Sequence, residues 1–79
     1  QPLPVATAEL DGKLFKIYSA EYTRTKTAKA PGSVLSAGKQ GIEVACLGGE
    51  TILITELQAA GKKRMKASDY LLGHPIKVD

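Results

Sequence analysis

The sequence predicts an all-β fold: a small antiparallel Greek-key open barrel of the OB-like kind with one short C-terminal helix. Two observations support this. Short segments rich in β-branched and aromatic residues alternate with Gly-containing turns, and a chain of 79 residues has room for a single core. Closing the sheet would also remove the exposed edges of a small β domain. An SH3-like barrel is the structural alternative.

The first long strand is expected over residues 14–22, after the turn signal Asp11-Gly12. Phe15 and Ile17 project to one face of it and are expected in the core. Residues 23–30 contain threonines and cations but no large apolar side chain, which predicts an exposed loop.

The later elements follow the same alternation. A helix of about two turns fits residues 67–72, where Gly73 and Pro75 end it. It needs packing onto the barrel, because so short a helix is not stable alone. Further β-segments are expected at residues 33–37, 42–46, 51–57 and 76–78.

Residues 1–9 are expected to be a linker from a preceding domain, and residues 10–79 the barrel domain. The opening Gln-Pro-Leu-Pro favours extended chain over helix. Cys46 is the only cysteine, which excludes an internal disulfide and indicates an intracellular, cytoplasmic protein. No apolar run approaches the roughly 20 residues that cross a bilayer, so no membrane contact is expected.

The sequence offers no catalytic, cofactor-binding or metal-binding constellation. His74 beside Pro75 is better explained as a helix cap or a surface residue than as a general base. Cys46 shares an apolar face with Ile42 and Val44 and is expected to be a small buried hydrophobe. One His and one Cys cannot supply a four-ligand zinc site. These residues predict a binding or structural domain.

Charge gives the positive signal. Eleven Lys and Arg against eight Asp and Glu give a net charge of +3, and eight of the cations fall in two runs free of acids, residues 22–40 and 57–68. Such runs neutralise nucleic-acid phosphates without reading bases, although a solvated loop is the simpler alternative. Tyr18 and Tyr22 would stack on bases if exposed, but strand tyrosines are more often partly buried. The candidate phosphate-binding residues are Arg24, Lys26, Lys29 and Lys39 in the first run and Lys62, Lys63, Arg64 and Lys66 in the second.

The acids Glu43, Glu50 and Glu56 lie between the two runs. A fold that joined the runs would therefore have a positive side and a more acidic side.

Several linked segments resemble the C-terminal domain of methionyl-tRNA formyltransferases. The most specific is residues 57–65 (LQAAGKKRM), followed by Ala67, Asp69, Tyr70, Leu71 and Gly73. Upstream, the resemblance includes residues 11–14 (DGKL), 16–17 (KI), 31–35 (PGSVL), 38–42 (GKQGI) and 44–46 (VAC), so it spans about residues 11 to 73. The family often has a small capping residue where this chain has Lys66, so either Ser68 caps a later helix start or the helix frays.

The resemblance implies an OB-like domain that helps to hold initiator methionyl-tRNA. The parent protein would transfer a formyl group from 10-formyltetrahydrofolate, using an N-terminal catalytic domain whose motifs are absent here. The expected partners are initiator methionyl-tRNA and the N-terminal catalytic domain of the same chain. The protein is expected to be a monomer, and the C-terminal domain is expected to hold no cofactor. The alternative is a structural, interdomain packing module of a related formyltransferase without nucleic-acid contact, because similar barrels occur in such enzymes.

Overall fold

A computed structural model describes residues 6–79 as a β-rich domain with one short helix. The all-β prediction is therefore confirmed. A 3₁₀ turn, Leu47–Gly49, connects the fourth and fifth strands. The elements are β1 (Ala6–Leu10), β2 (Lys13–Lys26), β3 (Val34–Gly38), β4 (Gly41–Ala45), β5 (Glu50–Ala59), β6 (Met65–Lys66) and the helix α1 (Ala67–Gly73).

The strands form one antiparallel sheet in the order β1-β2-β5-β4-β3, with β6 paired to β5. Strands β3, β4 and β5 are consecutive neighbours, and β2 lies beside β5 through the long connection between β2 and β3. This order is a Greek key. Within residues 6–79 no ladder joins the edge strands β1 and β3, so closure into an OB-like barrel stays a prediction.

All five longer strands and α1 contribute to one core. Phe15 of β2 is 1% exposed and meets the ring of Tyr70 of α1 edge to face, with centroids 5.4 Å apart. Ile17 packs against this core but is only partly buried. The predicted core face of β2 is thus confirmed. The buried large side chains are Leu10, Phe15, Val34, Ile42, Val44, Ile54, Leu57, Tyr70 and Ile76.

Strand β1 begins within the segment that the sequence assigns to a linker. Residues 6–9, expected to be linker, belong to β1, which pairs with β2 from Ala6 opposite Ile17 to Leu10 opposite Lys13. The segment ATAEL lacks bulky β-branched residues, so its strand signal is weak. Residues 1–5 lie outside the described residues, and a linker there stays a prediction.

Strand β2 is also longer than expected. The loop predicted at residues 23–30 is wrong for residues 23–26, because the threonines there bond across the sheet: the hydroxyls of Thr23 and Thr25 both contact that of Thr51. Irregular pairing between β2 and β5 allows the strand to bend. No strand forms at residues 76–78, but the Asp79 N–H donates to the carbonyl of Val34 at 2.8 Å.

The helix begins where predicted, at Ala67, and Lys66 is its N-cap without a side-chain capping bond. Ser68 therefore does not shift the start. The His74 N–H donates to the Tyr70 carbonyl oxygen at 3.0 Å, which confirms a capping position. The His74 ring also stacks on the Tyr70 ring, with centroids 4.7 Å apart. Cys46 is only half-buried, because it lies beyond the end of β4.

Residues 6–79 contain no group of three or more His, Cys, Asp or Glu side chains placed to hold a metal ion. None of the helices in the described part of the chain is long and apolar enough to cross a membrane.

Candidate nucleic-acid interface

Two cations from distant parts of the sequence meet at one shallow, open depression. Lys39 lies in the turn between β3 and β4, and Lys66 lies at the start of α1. The depression also presents hydroxyl and amide groups, which can bind phosphate oxygens. Its lining is Ser19, Lys39, Gln40, Thr55, Glu56, Lys66 and Ser68.

The short strand β6 brings the second basic run back along β5. Glu56 pairs with Lys66 and Leu57 with Met65 in this ladder. The chain between β5 and β6 therefore forms a loop at the edge of the depression. We call residues 60–64 the basic loop.

Arg64, in the basic loop, makes a specific contact with an acid. Its Nη2 donates to Glu56 Oε1 at 3.0 Å. This hydrogen bond lowers the pKa of the Glu56 carboxyl below its ordinary value and raises that of the Arg64 guanidinium. The guanidinium carbon also lies 4.2 Å from the centroid of the Tyr18 ring. Arg64 is thus held by the sheet on two sides.

Gln58 fixes the backbone of the basic loop at Lys62. Its Nε2 donates to the carbonyl oxygen of Lys62 at 2.8 Å, while its Oε1 accepts from the Tyr18 hydroxyl at 2.9 Å. The Lys62 N–H donates to the carbonyl of Ala59 at 3.1 Å. Side chains of β2 and β5 therefore set the path of the loop that presents the lysines.

The lysines of this region form no ion pair with Glu56, although Lys39 and Lys66 line the same depression as that carboxylate. Lys39, Lys62, Lys63 and Lys66 are exposed, and within residues 6–79 none of them forms a salt bridge within 4.0 Å. Lys62 lies on a neighbouring depression, beside Lys13 and His74. Four unpaired ammonium groups thus remain available to a polyanion.

The remaining predicted residues lie elsewhere. Arg24 and Lys26 line a separate depression near the end of β2, and Lys26 approaches Glu50 at 4.0 Å. Lys29 Nζ donates to the carbonyl oxygen of Asp79 at 3.3 Å. The structure therefore brings Lys39 to the second basic run and leaves the other cations of the first run apart.

Comparison with known proteins gives the family. A family model described as "Formyl transferase, C-terminal domain" matches residues 1–75. This chain belongs to the formyl transferase C-terminal domain family. The match begins before the boundary expected at residue 10, in agreement with the position of β1.

Three curated relatives of this formyl transferase C-terminal domain share one name. A protein named methionyl-tRNA formyltransferase from Geotalea uraniireducens (strain Rf4) is 51% identical over 95% of this chain and 23% of its own length. Proteins of the same name from Bacillus velezensis and Bacillus subtilis are each 43% identical, over 96% and 98% of this chain. The chain spans about a quarter of the length of these relatives.

The expected separation of charges in this formyl transferase C-terminal domain is wrong. Glu56 pairs with Arg64 and lines a depression with Lys39 and Lys66, and Glu50 approaches Lys26. Glu43 accepts hydrogen bonds from Thr25 and Thr51. Strand pairing explains the mixture, because in the ladders of β5 Glu50 lies opposite Lys26 and Glu56 lies opposite Lys66.

Sequence reasoning missed the uncharged partners of the cations. Tyr18 and Gln58 lie on the outer face of the β2–β5 pair, next to the basic loop. The alternation along β5 could have placed Glu56 and Gln58 on one face. Nothing local indicated that Arg64 would contact Glu56 and Tyr18, because the two-residue strand β6 has no sequence signal. The missed lining residues of the depression are Ser19, Gln40, Thr55, Glu56 and Ser68.

Proposed function

We propose that this chain is the C-terminal domain of a methionyl-tRNA formyltransferase and binds initiator methionyl-tRNA. The contact surface is the basic face, defined as Lys39, Lys62, Lys63, Arg64 and Lys66. One observation supports it above others: Lys39 and Lys66 converge on a depression lined with hydroxyl and amide groups. The relatives' name supplies the kind of RNA.

The physical basis is counterion release. Each ammonium group that neutralises a phosphate frees a condensed cation, so binding gains affinity without base recognition. The Ser68 hydroxyl and the Gln40 amide add short-range donors for phosphate oxygens. The interface would therefore position the tRNA backbone rather than read its sequence.

In this proposal the domain does no chemistry. An N-terminal catalytic domain outside this sequence transfers the formyl group from 10-formyltetrahydrofolate to the methionyl amino group. The C-terminal domain raises the local concentration of the tRNA at that site. The parent acts in the cytoplasm as a monomer.

Binding of initiator tRNA to the 79-residue chain tests the proposal. Lys62→Ala combined with Lys63→Ala should weaken binding strongly at low salt. Lys77→Ala is the control, because Lys77 is an exposed lysine near Asp11, whose carboxylate accepts its N–H at 3.2 Å. The proposal would be overturned if the double variant and Lys77→Ala lost the same amount of tRNA affinity, or if neither lost any.

Interdomain packing without nucleic-acid contact is the second candidate. The observation in its favour is Leu72 of α1, which is 87% exposed. In the full-length parent, Leu72→Ser would then reduce stability and activity together. If packing is the only role, the tRNA affinity of the 79-residue chain is negligible and insensitive to Lys62 and Lys63.

A further inference from the structure

The far end of β2 presents an aromatic ring and two cations on one surface. Tyr22 is 77% exposed, and it lines a depression with Arg24 and Lys26. This depression shares no residue with the one lined by Lys39 and Lys66. A third depression shares Thr25 with this one and shares Lys39 and Gln40 with the other, so the Tyr22 surface is a second patch that adjoins the basic face. Its other lining residues are Thr25, Glu50 and Thr51.

The threonines of this segment are fixed by a network of hydroxyls. Thr25 and Thr51 donate to Glu43 Oε2 at 3.2 and 3.1 Å. The Thr23 hydroxyl hydrogen-bonds to that of Thr51. Since Glu43 belongs to β4 and Thr51 to β5, the network ties the end of β2 to both strands. The bulged segment therefore has a defined position.

Arg24 itself has an unusual backbone. Its φ is 65°, in the left-handed region that residues other than glycine rarely adopt. The Thr25 N–H donates to Thr23 Oγ1 at 3.2 Å, so a hydrogen bond joins the two residues on either side of Arg24. The sequence thus maintains a bulge that interrupts the pairing of β2 with β5 between Tyr22 and Lys26.

This chemistry fits an unpaired nucleotide. An exposed tyrosine ring offers a stacking platform for a base, and neighbouring cations bind its phosphate. Lys26 is only loosely engaged by Glu50 at 4.0 Å, and Arg24 forms no salt bridge within residues 6–79. An apolar protein partner would have to bury both cations without counter-charges, which is unfavourable.

We propose that Tyr22, Arg24 and Lys26 form a binding site for a single unpaired RNA nucleotide, with the base on the Tyr22 ring and the phosphate on Arg24. The nucleotide must be unpaired, because bases within a helix are already stacked on both faces. The inference rests on the proposed function for the class of ligand. It adds a contact that discriminates flexible from helical parts of the RNA.

The test is an NMR titration of the 79-residue chain with a single-stranded RNA tetranucleotide. Signals of residues 22–26 and of the Tyr22 ring should shift. Tyr22→Ala should weaken binding about tenfold, within the range that base–aromatic stacking gives. Tyr22→Phe should bind like the unchanged protein, because it keeps the ring. The exposure of Tyr22 makes loss of folding unexpected in either variant.

Equal affinities for the unchanged protein and Tyr22→Ala would overturn the inference, as would shifts confined to the basic face. A parallel titration with initiator tRNA separates the two proposals. If tRNA binds through Lys62 and Lys63 while the tetranucleotide leaves residues 22–26 unshifted, only this inference fails. If neither RNA binds, the proposed function fails as well.

Discussion

The guanidinium of Arg64 lies over the ring of Tyr18, 4.2 Å from its centroid. The same side chain donates to Glu56, so it joins β2, β5 and the basic loop at one point. A cation held in this way is less free to follow a phosphate than an unpaired lysine. Arg64 therefore positions the loop, while Lys62 and Lys63 remain free for ligand.

The first prediction concerns the rigidity of the basic loop. Arg64→Ala removes the contacts to Tyr18 and Glu56, so the backbone of residues 62–64 should become more mobile. Measured by ¹⁵N relaxation, order parameters should fall from about 0.85 towards 0.6. Lys63→Ala is the control, since Lys63 is an exposed neighbour. Unchanged order parameters in Arg64→Ala would show that the loop does not depend on this contact.

The second prediction concerns the acid within the basic face. Glu56→Gln removes a negative charge beside Lys39 and Lys66 and releases Arg64. Affinity for initiator tRNA at low salt should rise about two- to fivefold, because an exposed unit charge at close range has an effect of this order. Glu9→Gln, in the edge strand β1, should change it little. Weaker binding by Glu56→Gln would mean that positioning of Arg64 outweighs charge.

The third prediction is a pH dependence. The hydrogen bond from Arg64 lowers the pKa of Glu56 below its ordinary value of 4.5. Because the folded pKa is lower than the unfolded one, the contact stabilises the fold above pH 4.5 and is lost as the pH falls through the folded pKa. Titration of the Glu56 carboxyl by ¹³C NMR should show the lowered midpoint. In Arg64→Ala the midpoint should rise; identical midpoints would contradict the assignment.

The fourth prediction concerns the turn that carries Lys39. A Cβ on Gly41 would overlap the carbonyl oxygen of Ile54, and the φ of Gly41 is 131°. Gly41→Ala should therefore lower the free energy of unfolding by more than about 1 kcal/mol, measured by urea denaturation. Gly38→Ala, at the other end of the same turn, meets nothing within 4 Å and should cost less. Equal costs would contradict the close approach of β4 and β5.

Local patterns were sufficient for most of the fold. Gly-containing turns and alternating residues predicted strands close to β3, β4 and β5, and Ala67 was correctly placed at the helix start. Strand β1 was missed because Ala, Thr and Glu give little hydrophobic signal. The extension of β2 was missed because Thr23 and Thr25 are stabilised by hydroxyl contacts to a distant strand.

The basic face was predictable only in part. The cluster Lys62 to Lys66 is local, so its charge is visible in the sequence. Its junction with Lys39 depends on how β4, β5 and β6 pair, which composition does not reveal. The same pairing placed Glu56 beside Arg64, against the expectation of a separate acidic side.

The salt dependence of tRNA binding tests the proposed function most directly. Four unpaired lysines, Lys39, Lys62, Lys63 and Lys66, should give a slope of log K against log salt of about −3 to −4, at roughly 0.9 per neutralised phosphate. Replacing Lys39 and Lys66 together by Ala should reduce its magnitude by about 2. A slope near zero, or one unaffected by this double change, would contradict tRNA binding through the basic face.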